Sequence, residues 1–183
     1  MNGSVPAAVH VIGLGNSLRG DDGFGSEVVE RLLQEWAFPS GVILTAAGTP
    51  GLDLTALFSG FRHLLLIDAV RGPGAPGAVG IYSEEDLETR LSGSPLTSHG
   101  PGVVETLRLL RLTGGAPETV TLFGVVPLSM ERGIGLTAPV RDAVEVAARA
   151  VVRRLVALGF PVALHAPRAS ANSWQPSGPV ESR

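Results

Sequence analysis

Two kinds of segment alternate along this chain. Short continuous apolar runs are followed by longer stretches whose apolar residues fall three and four positions apart, the pattern of strands and amphipathic helices in turn. Val9 to Ile12 is the first run, and it ends in a glycine-studded turn. A helix follows, with Phe24, Val28, Val29, Leu32, Leu33 and Trp36 on one face. Gly41 to Thr45 is a short strand, closed by the turn AGTPGLD, in which Asp53 can cap a short helix from Leu54 to Phe58. His63 to Val70 is a run of aliphatics of the kind that parallel sheets bury on both faces. RGPGAPG breaks it, and a strand over Ala78 to Tyr82 and a helix over Glu84 to Leu91 come next. The polar loop SGSPLTSHGPG leads into a helix over Val103 to Leu112. Thr119 to Val126 is a further strand, closed by Pro127. Thr137 stands as the cap of a last long helix, with Pro139 in its first turn and Leu155 near its end. A short strand over Phe160 to Leu164 completes the pattern.

The alternation predicts a single-domain, three-layer α/β/α fold with a twisted, mainly parallel sheet flanked by helices. The domain spans residues 1–164. From about His165 the chain is Ser, Ala, Pro and Gly with a lone Trp174, which predicts a flexible tail over 165–183.

Composition narrows the chemistry. Of 183 residues, 44% are hydrophobic and only 5% aromatic, so one aliphatic core is expected. The net charge of −3 implies neither a nucleic-acid nor an anionic-membrane surface. With no cysteine there is no disulfide, thiolate zinc site or cysteine nucleophile. All basic residues are arginine, which excludes the P-loop lysine and Schiff-base chemistry. No apolar run approaches the roughly 20 residues of a membrane helix. MNGSVPAAVHVIG lacks the charged start of a signal peptide. A cytoplasmic protein is expected. HExxH and GxSxG are absent. GLGNSL fails as a dinucleotide fingerprint because Leu18 stands where the third glycine belongs.

What remains is a dispersed set. Asp21 and Asp22 follow the first strand, at the edge where open α/β sheets build their sites. An acid before a helix ordinarily caps it, and one cap leaves the second acid for chemistry. Asp68 ends an apolar strand and must find a partner, a turn cap or Arg71 among them. His99 lies in the loop before a helix, where a hydrogen bond at the helix terminus is the plainer role. His10, His63 and His165 read as structural. Two carboxylates and an imidazole without sulfur also suit a borderline divalent cation.

GLGNSLRGDDGFG resembles the opening signature of the hydrogenase maturation proteases. The likeness continues through AGTPGLDL, LLLIDAV, SHGPGVVETLRLL and LFGVVP to GIGLTAPV, about Val9 to Leu158. It implies a phosphorylase/hydrolase-like α/β fold and a nickel-dependent endopeptidase that trims the C-terminus of the NiFe hydrogenase large-subunit precursor. It places the metal ligands on Asp22, Asp68 and His99, with Gly48 and Thr49 shaping the cleft. Asp21 then caps the helix or orients a ligand from behind. The nickel is implied to arrive in the precursor; whether the ligands also polarise a carbonyl or activate water stays open. One position departs from the family: relatives commonly carry Asp-Gly-Gly-Thr where this chain has Ala46-Ala47-Gly48-Thr49. The loss of that acid raises a rival reading, a nickel-checking chaperone that binds the same precursor without cutting it. A nucleotide-binding enzyme is a third reading, weakened by Leu18 and Ala46.

Overall fold

The structure, a computed structural model, describes residues 8–48, 54–91 and 100–165. Strands β1 (Val9–Leu14), β2 (Trp36–Ala37), β3 (Val42–Gly48), β4 (His63–Ala69), β5 (Val79–Ser83), β6 (Thr119–Val125) and β7 (Ala163–Leu164) alternate with helices. These are α1 (Phe24–Glu35), α2 (Leu54–Phe58), α3 (Glu84–Leu91), α4 (Gly100–Thr113) and α5 (Ala138–Ala157). Five strands form one sheet in the order β3-β1-β4-β6-β5. All pair in parallel except β5, which runs antiparallel to β6 at the edge.

The period-2 alternation of side chains sorts each strand between two cores. Val9 and Val11 of β1, Leu65 and Ile67 of β4, and Phe123 and Val125 of β6 pack with Val28, Val29 and Leu32 of α1 and Val140, Val144 and Val151 of α5. The alternate residues, Ile12, Leu14, Leu64, Leu66, Val120 and Leu122, pack with Phe58 of α2, Leu87 of α3 and Val103, Leu107 and Leu110 of α4. Helices therefore cover both faces, which is why β4 is aliphatic at every position from Leu64 to Ile67. This is the expected three-layer arrangement.

Several boundaries differ from the sequence expectation. α1 stops at Glu35, and Trp36 enters β2, paired with Leu164 of β7 in a two-stranded antiparallel ribbon too short to give a periodic signal. Leu33, read as part of the buried face, is exposed. β3 continues past Thr45 to Gly48, and α4 begins at Gly100 rather than Val103. His165 donates its backbone N–H to the Glu35 carbonyl, 2.8 Å, so it is attached to the end of α1. Asp53 and the tail beyond His165 lie outside the described residues. No helix among the described residues is long and apolar enough to cross a membrane.

Candidate functional site

The parallel strands end on one edge of the sheet, where the loops after them meet. β1 runs into residues 15–19, a single 3-10 turn at Gly20–Gly23, and then α1. The start of α1 lies directly on the strand ends. A Cβ on Gly25 would sit 2.3 Å from the Leu14 carbonyl oxygen and 2.5 Å from that of Ile67, inside any van der Waals limit. Only glycine allows this approach. Asp22 precedes Gly25 by one turn, and Asp68 directly follows Ile67. The turn carrying Asp22 packs against β4. Two acids from distant parts of the chain are thus brought to the ends of adjacent strands.

Both are buried, Asp22 at 2% exposure and Asp68 at 0%. Asn16 donates its backbone N–H to Asp22 Oδ2 at 3.0 Å, and Ala69 donates its own to Asp68 Oδ1 at 2.8 Å. Each carboxylate is therefore oriented by a backbone donor. Gly15 makes the first arrangement possible: its φ of +113° and the 1.7 Å that would separate a Cβ from the Asp22 carbonyl oxygen exclude any side chain. Arg71, the alternative partner for Asp68, is exposed and forms no ion pair among the described residues. Gly48 ends β3, and its carbonyl accepts the Gly15 N–H at 2.8 Å, which ties the end of β3 to the loop after β1. Thr49 and His99 lie outside the described residues, His99 immediately before α4. Among the described residues no three His, Asp or Glu side chains assemble into a metal-holding group. The structure brings Asp22 and Asp68 to one rim and leaves the third candidate ligand undescribed.

Asp21 has a different role from the one its position suggests. The N-cap of α1 is Gly23, and no side chain caps that helix. The Asp21 carboxylate instead reaches the loop between β6 and α5. Oδ2 accepts the N–H groups of Leu128 (2.8 Å) and Ser129 (2.9 Å) and the Thr137 hydroxyl (2.9 Å), and Oδ1 accepts the Thr137 N–H (2.7 Å). Thr137 is the N-cap residue of α5 as expected, but its hydroxyl is spent on Asp21 rather than on its own helix. Asp21 is fully buried. Burial pushes its carboxyl upward, and the hydrogen bonds from Ser129, Thr137 and Leu128 outweigh that push, so the group sits below the usual carboxylate range. The sequence gives no local sign of this, since the partners lie 107 to 116 positions downstream.

His10 and His63 are structural. His10 is buried in β1; Nδ1 lies 2.8 Å from the Leu57 carbonyl, to which it donates, and Nε2 lies 2.7 Å from Thr45 Oγ1. Burial holds its pKa below the ordinary histidine value, only partly offset by the Leu57 bond. His63 Nδ1 meets Thr119 Oγ1 at 2.9 Å. Ala46, opposite Gly13 in the β1–β3 ladder, is exposed on the edge strand.

Comparison with known proteins agrees with this architecture. The hydrogenase maturation protease family model matches residues 26–154. The hydrogenase 2 maturation protease of Escherichia coli K12 is 36% identical over 146 residues, 79% of this chain and 88% of that protein. The hydrogenase expression/formation protein HupD of Rhodobacter capsulatus is 32% identical over 158 residues, 86% of this chain and 75% of that protein. Among solved structures, the hydrogenase maturating endopeptidase HybD from E. coli superposes with a TM-score of 0.80 at 33% identity, covering 86% of this chain and 98% of its own. Sequence, family model and fold agree: this chain belongs to the hydrogenase maturation protease family.

Proposed function

We propose that this chain is the endopeptidase that removes the C-terminal extension of a NiFe hydrogenase large-subunit precursor already loaded with nickel. The observation that carries the reading is the pair of buried carboxylates, Asp22 and Asp68, at the ends of adjacent strands in a member of this family. Two carboxylates set at one rim by backbone donors supply oxygen atoms of the kind that a divalent cation takes as ligands. Carboxylate oxygens with one imidazole suit a borderline divalent ion such as nickel. Asp22, Asp68 and His99 are the residues that would meet the precursor's nickel; Gly48 and Thr49 would shape the cleft beside them. The metal belongs to the substrate. This chain has no thiolate to hold nickel tightly by itself, and free nickel should bind it only modestly. The family relationship favours proteolysis over the chaperone reading.

A crossed assay tests this. Metal-free and nickel-loaded precursor are each mixed with chelator-treated and nickel-treated enzyme, and the release of a C-terminal peptide is followed by mass spectrometry. Cutting should depend on nickel in the precursor alone. Efficient cutting of metal-free precursor by nickel-treated enzyme would overturn the docking of substrate metal. Stable association with loaded precursor and no cutting would overturn proteolysis.

A further inference from the structure

The loops after β1 and β6 are joined beyond the Asp21 clamp. Gly20 donates its N–H to the Gly133 carbonyl (2.9 Å), Gly133 donates to the Leu18 carbonyl (3.0 Å), and Asp21 donates to the Ser129 carbonyl (3.0 Å). Arg19 and Gly133 form a parallel bridge. This small ladder makes one ridge from two loops. Ridges of loop backbone ordinarily present polar side chains to water, yet this one presents three large aliphatics: Leu18 at 62% exposure, Leu128 at 59% and Ile134 at 90%. Each lies on or beside a residue of the ladder. A cavity of about 600 Å³ opens on the same ridge, lined by Arg19, Met130, Glu131 and Arg132. Neither arginine forms an ion pair among the described residues.

Exposed aliphatics gathered on a rigid loop platform mark an interaction surface more often than chance scatter does. Two arginines against one glutamate leave the cavity with a surplus positive charge, which selects for a carboxylate, and guanidinium groups take carboxylates in paired hydrogen bonds. The ridge is continuous with the candidate site: Arg19 accepts the Asp22 N–H at its carbonyl, 3.2 Å, across the single turn that separates them.

We infer that the ridge formed by Leu18, Leu128 and Ile134, with Arg19 and Arg132, docks the precursor through an extended segment carrying aliphatic side chains and a carboxylate. The segment is the part of the precursor next to the bond presented at Asp22 and Asp68. This inference rests on the proposed function for the identity of the occupant. The ridge supplies affinity and register; the carboxylate rim receives the metal. Asp21 acts as a positioning residue, since the same side chain fixes both loops.

The experiment measures Kd for nickel-loaded precursor by biolayer interferometry, and KM and kcat for peptide release, with wild-type protein and three variants. Leu18→Ser/Ile134→Ser removes exposed aliphatics, and Arg19→Glu/Arg132→Glu reverses the charge. Leu109→Ser/Leu112→Ser alters exposed leucines of α4 at 50% and 87% exposure as a control away from the rim. All replaced side chains are exposed, so unfolding midpoints should match the wild type. The two ridge variants should weaken Kd and raise KM at least about 10-fold with kcat little changed, and the charge reversal should remove most of the salt dependence. The α4 control should behave as wild type. Unchanged Kd in both ridge variants, or equal loss in the α4 control, would overturn the docking surface. Binding that is lost in the ridge variants while the wild type binds and never cuts would keep the surface and overturn the proteolytic reading. No binding by the wild type would overturn both.

Discussion

Replacing Asp21 with alanine tests whether this acid caps a helix or clamps two loops. A lost helix cap costs about 1 kcal/mol. The structure gives a larger figure. Four hydrogen bonds end on this one buried carboxylate, three of them from backbone N–H groups of Leu128, Ser129 and Thr137. Truncation to Ala removes the acceptor and leaves those three donors without it, each lost charge-assisted bond being worth about 1.5–3 kcal/mol. Water entering the vacated volume and movement of the loop recover part of the sum, so a net loss of roughly 3–5 kcal/mol is expected, the range for removing one partner of a buried charged network. For a domain of this size each kcal/mol moves the midpoint by about 2–4 °C, and the melting temperature should fall by roughly 6–20 °C. Thr137→Val, which removes only the hydroxyl, should cost about 1 kcal/mol.

Acid gives a second signature. Because the folded Asp21 carboxyl sits below the usual range, the folded state holds fewer protons than the unfolded chain near pH 4. Its stabilisation is complete above the unfolded value of about 3.9 and disappears as pH falls through the folded value. The gap between wild type and Asp21→Ala should therefore be wide at pH 7 and close in acid. Thermal denaturation of both proteins between pH 3 and pH 7 supplies the measurement. A fall of 3 °C or less at pH 7, or a gap independent of pH, would refute the clamp and return Asp21 to the role of an ordinary cap.

Three further outcomes follow from the same geometry. Asp22→Asn and Asp68→Asn, separately, should lower processing of nickel-loaded precursor at least about 10–100-fold, the loss that even an outer partner of a metal ligand carries, with circular dichroism unchanged; wild-type rates in either variant contradict the rim assignment. Burial lowers the His10 pKa in the folded state, so between that value and about 6.5 the unfolded chain binds the extra proton and stability falls as pH drops below 6.5; His10→Gln should flatten part of that slope in urea titrations, the rest belonging to His63, whose pKa is also lowered, by burial first. Ala46→Asp adds a carboxylate at an exposed position of β3, so its stability should stay within about 0.5 kcal/mol of wild type, and precursor cleavage should quicken if an acid there assists the reaction.

Much of the fold is legible because burial writes itself into composition. Leu64 to Ile67 must satisfy two helical layers at once, and only an unbroken aliphatic run does so. Asp68 stands out for the same reason: an acid that closes such a run is costly without a task. Strand order and the reversal of β5 are not legible, because they depend on which hydrogen bonds form between segments more than 30 residues apart, and neither leaves a periodic trace. Trp36 misled in a particular way. It continues the helical spacing of Val29 and Leu32 and is buried, yet its backbone leaves the helix to pair with Leu164. Burial alone cannot tell the two apart. The role of Asp21 escaped for a third reason. Residues before a helix are read against that helix, while its partners belong to a loop that only the folded sheet brings near.

The two adjacent acids divide the work of this rim. Asp21 lies under four donors and holds the loops after β1 and β6 as one body. Asp22, one residue on, accepts the Asn16 N–H in the loop just beyond β1. On the proposed function the site accepts a metal already held by another protein; such a site cannot depend on that metal to organise it, so its carboxylates would have to be placed beforehand by the fold. The contact of Gly25 with Leu14 and Ile67 fixes the depth of the turn, and Asp21 fixes its lateral position. Neither device uses the carboxylate of Asp22 or Asp68: one is a glycine packed on backbone carbonyls, the other the Asp21 side chain. The same turn carries Leu18 and Arg19 on its outer side. If the precursor docks on the ridge and delivers its nickel to the rim as proposed, both events depend on the same joined loops, and a change that loosens Asp21 should weaken both together.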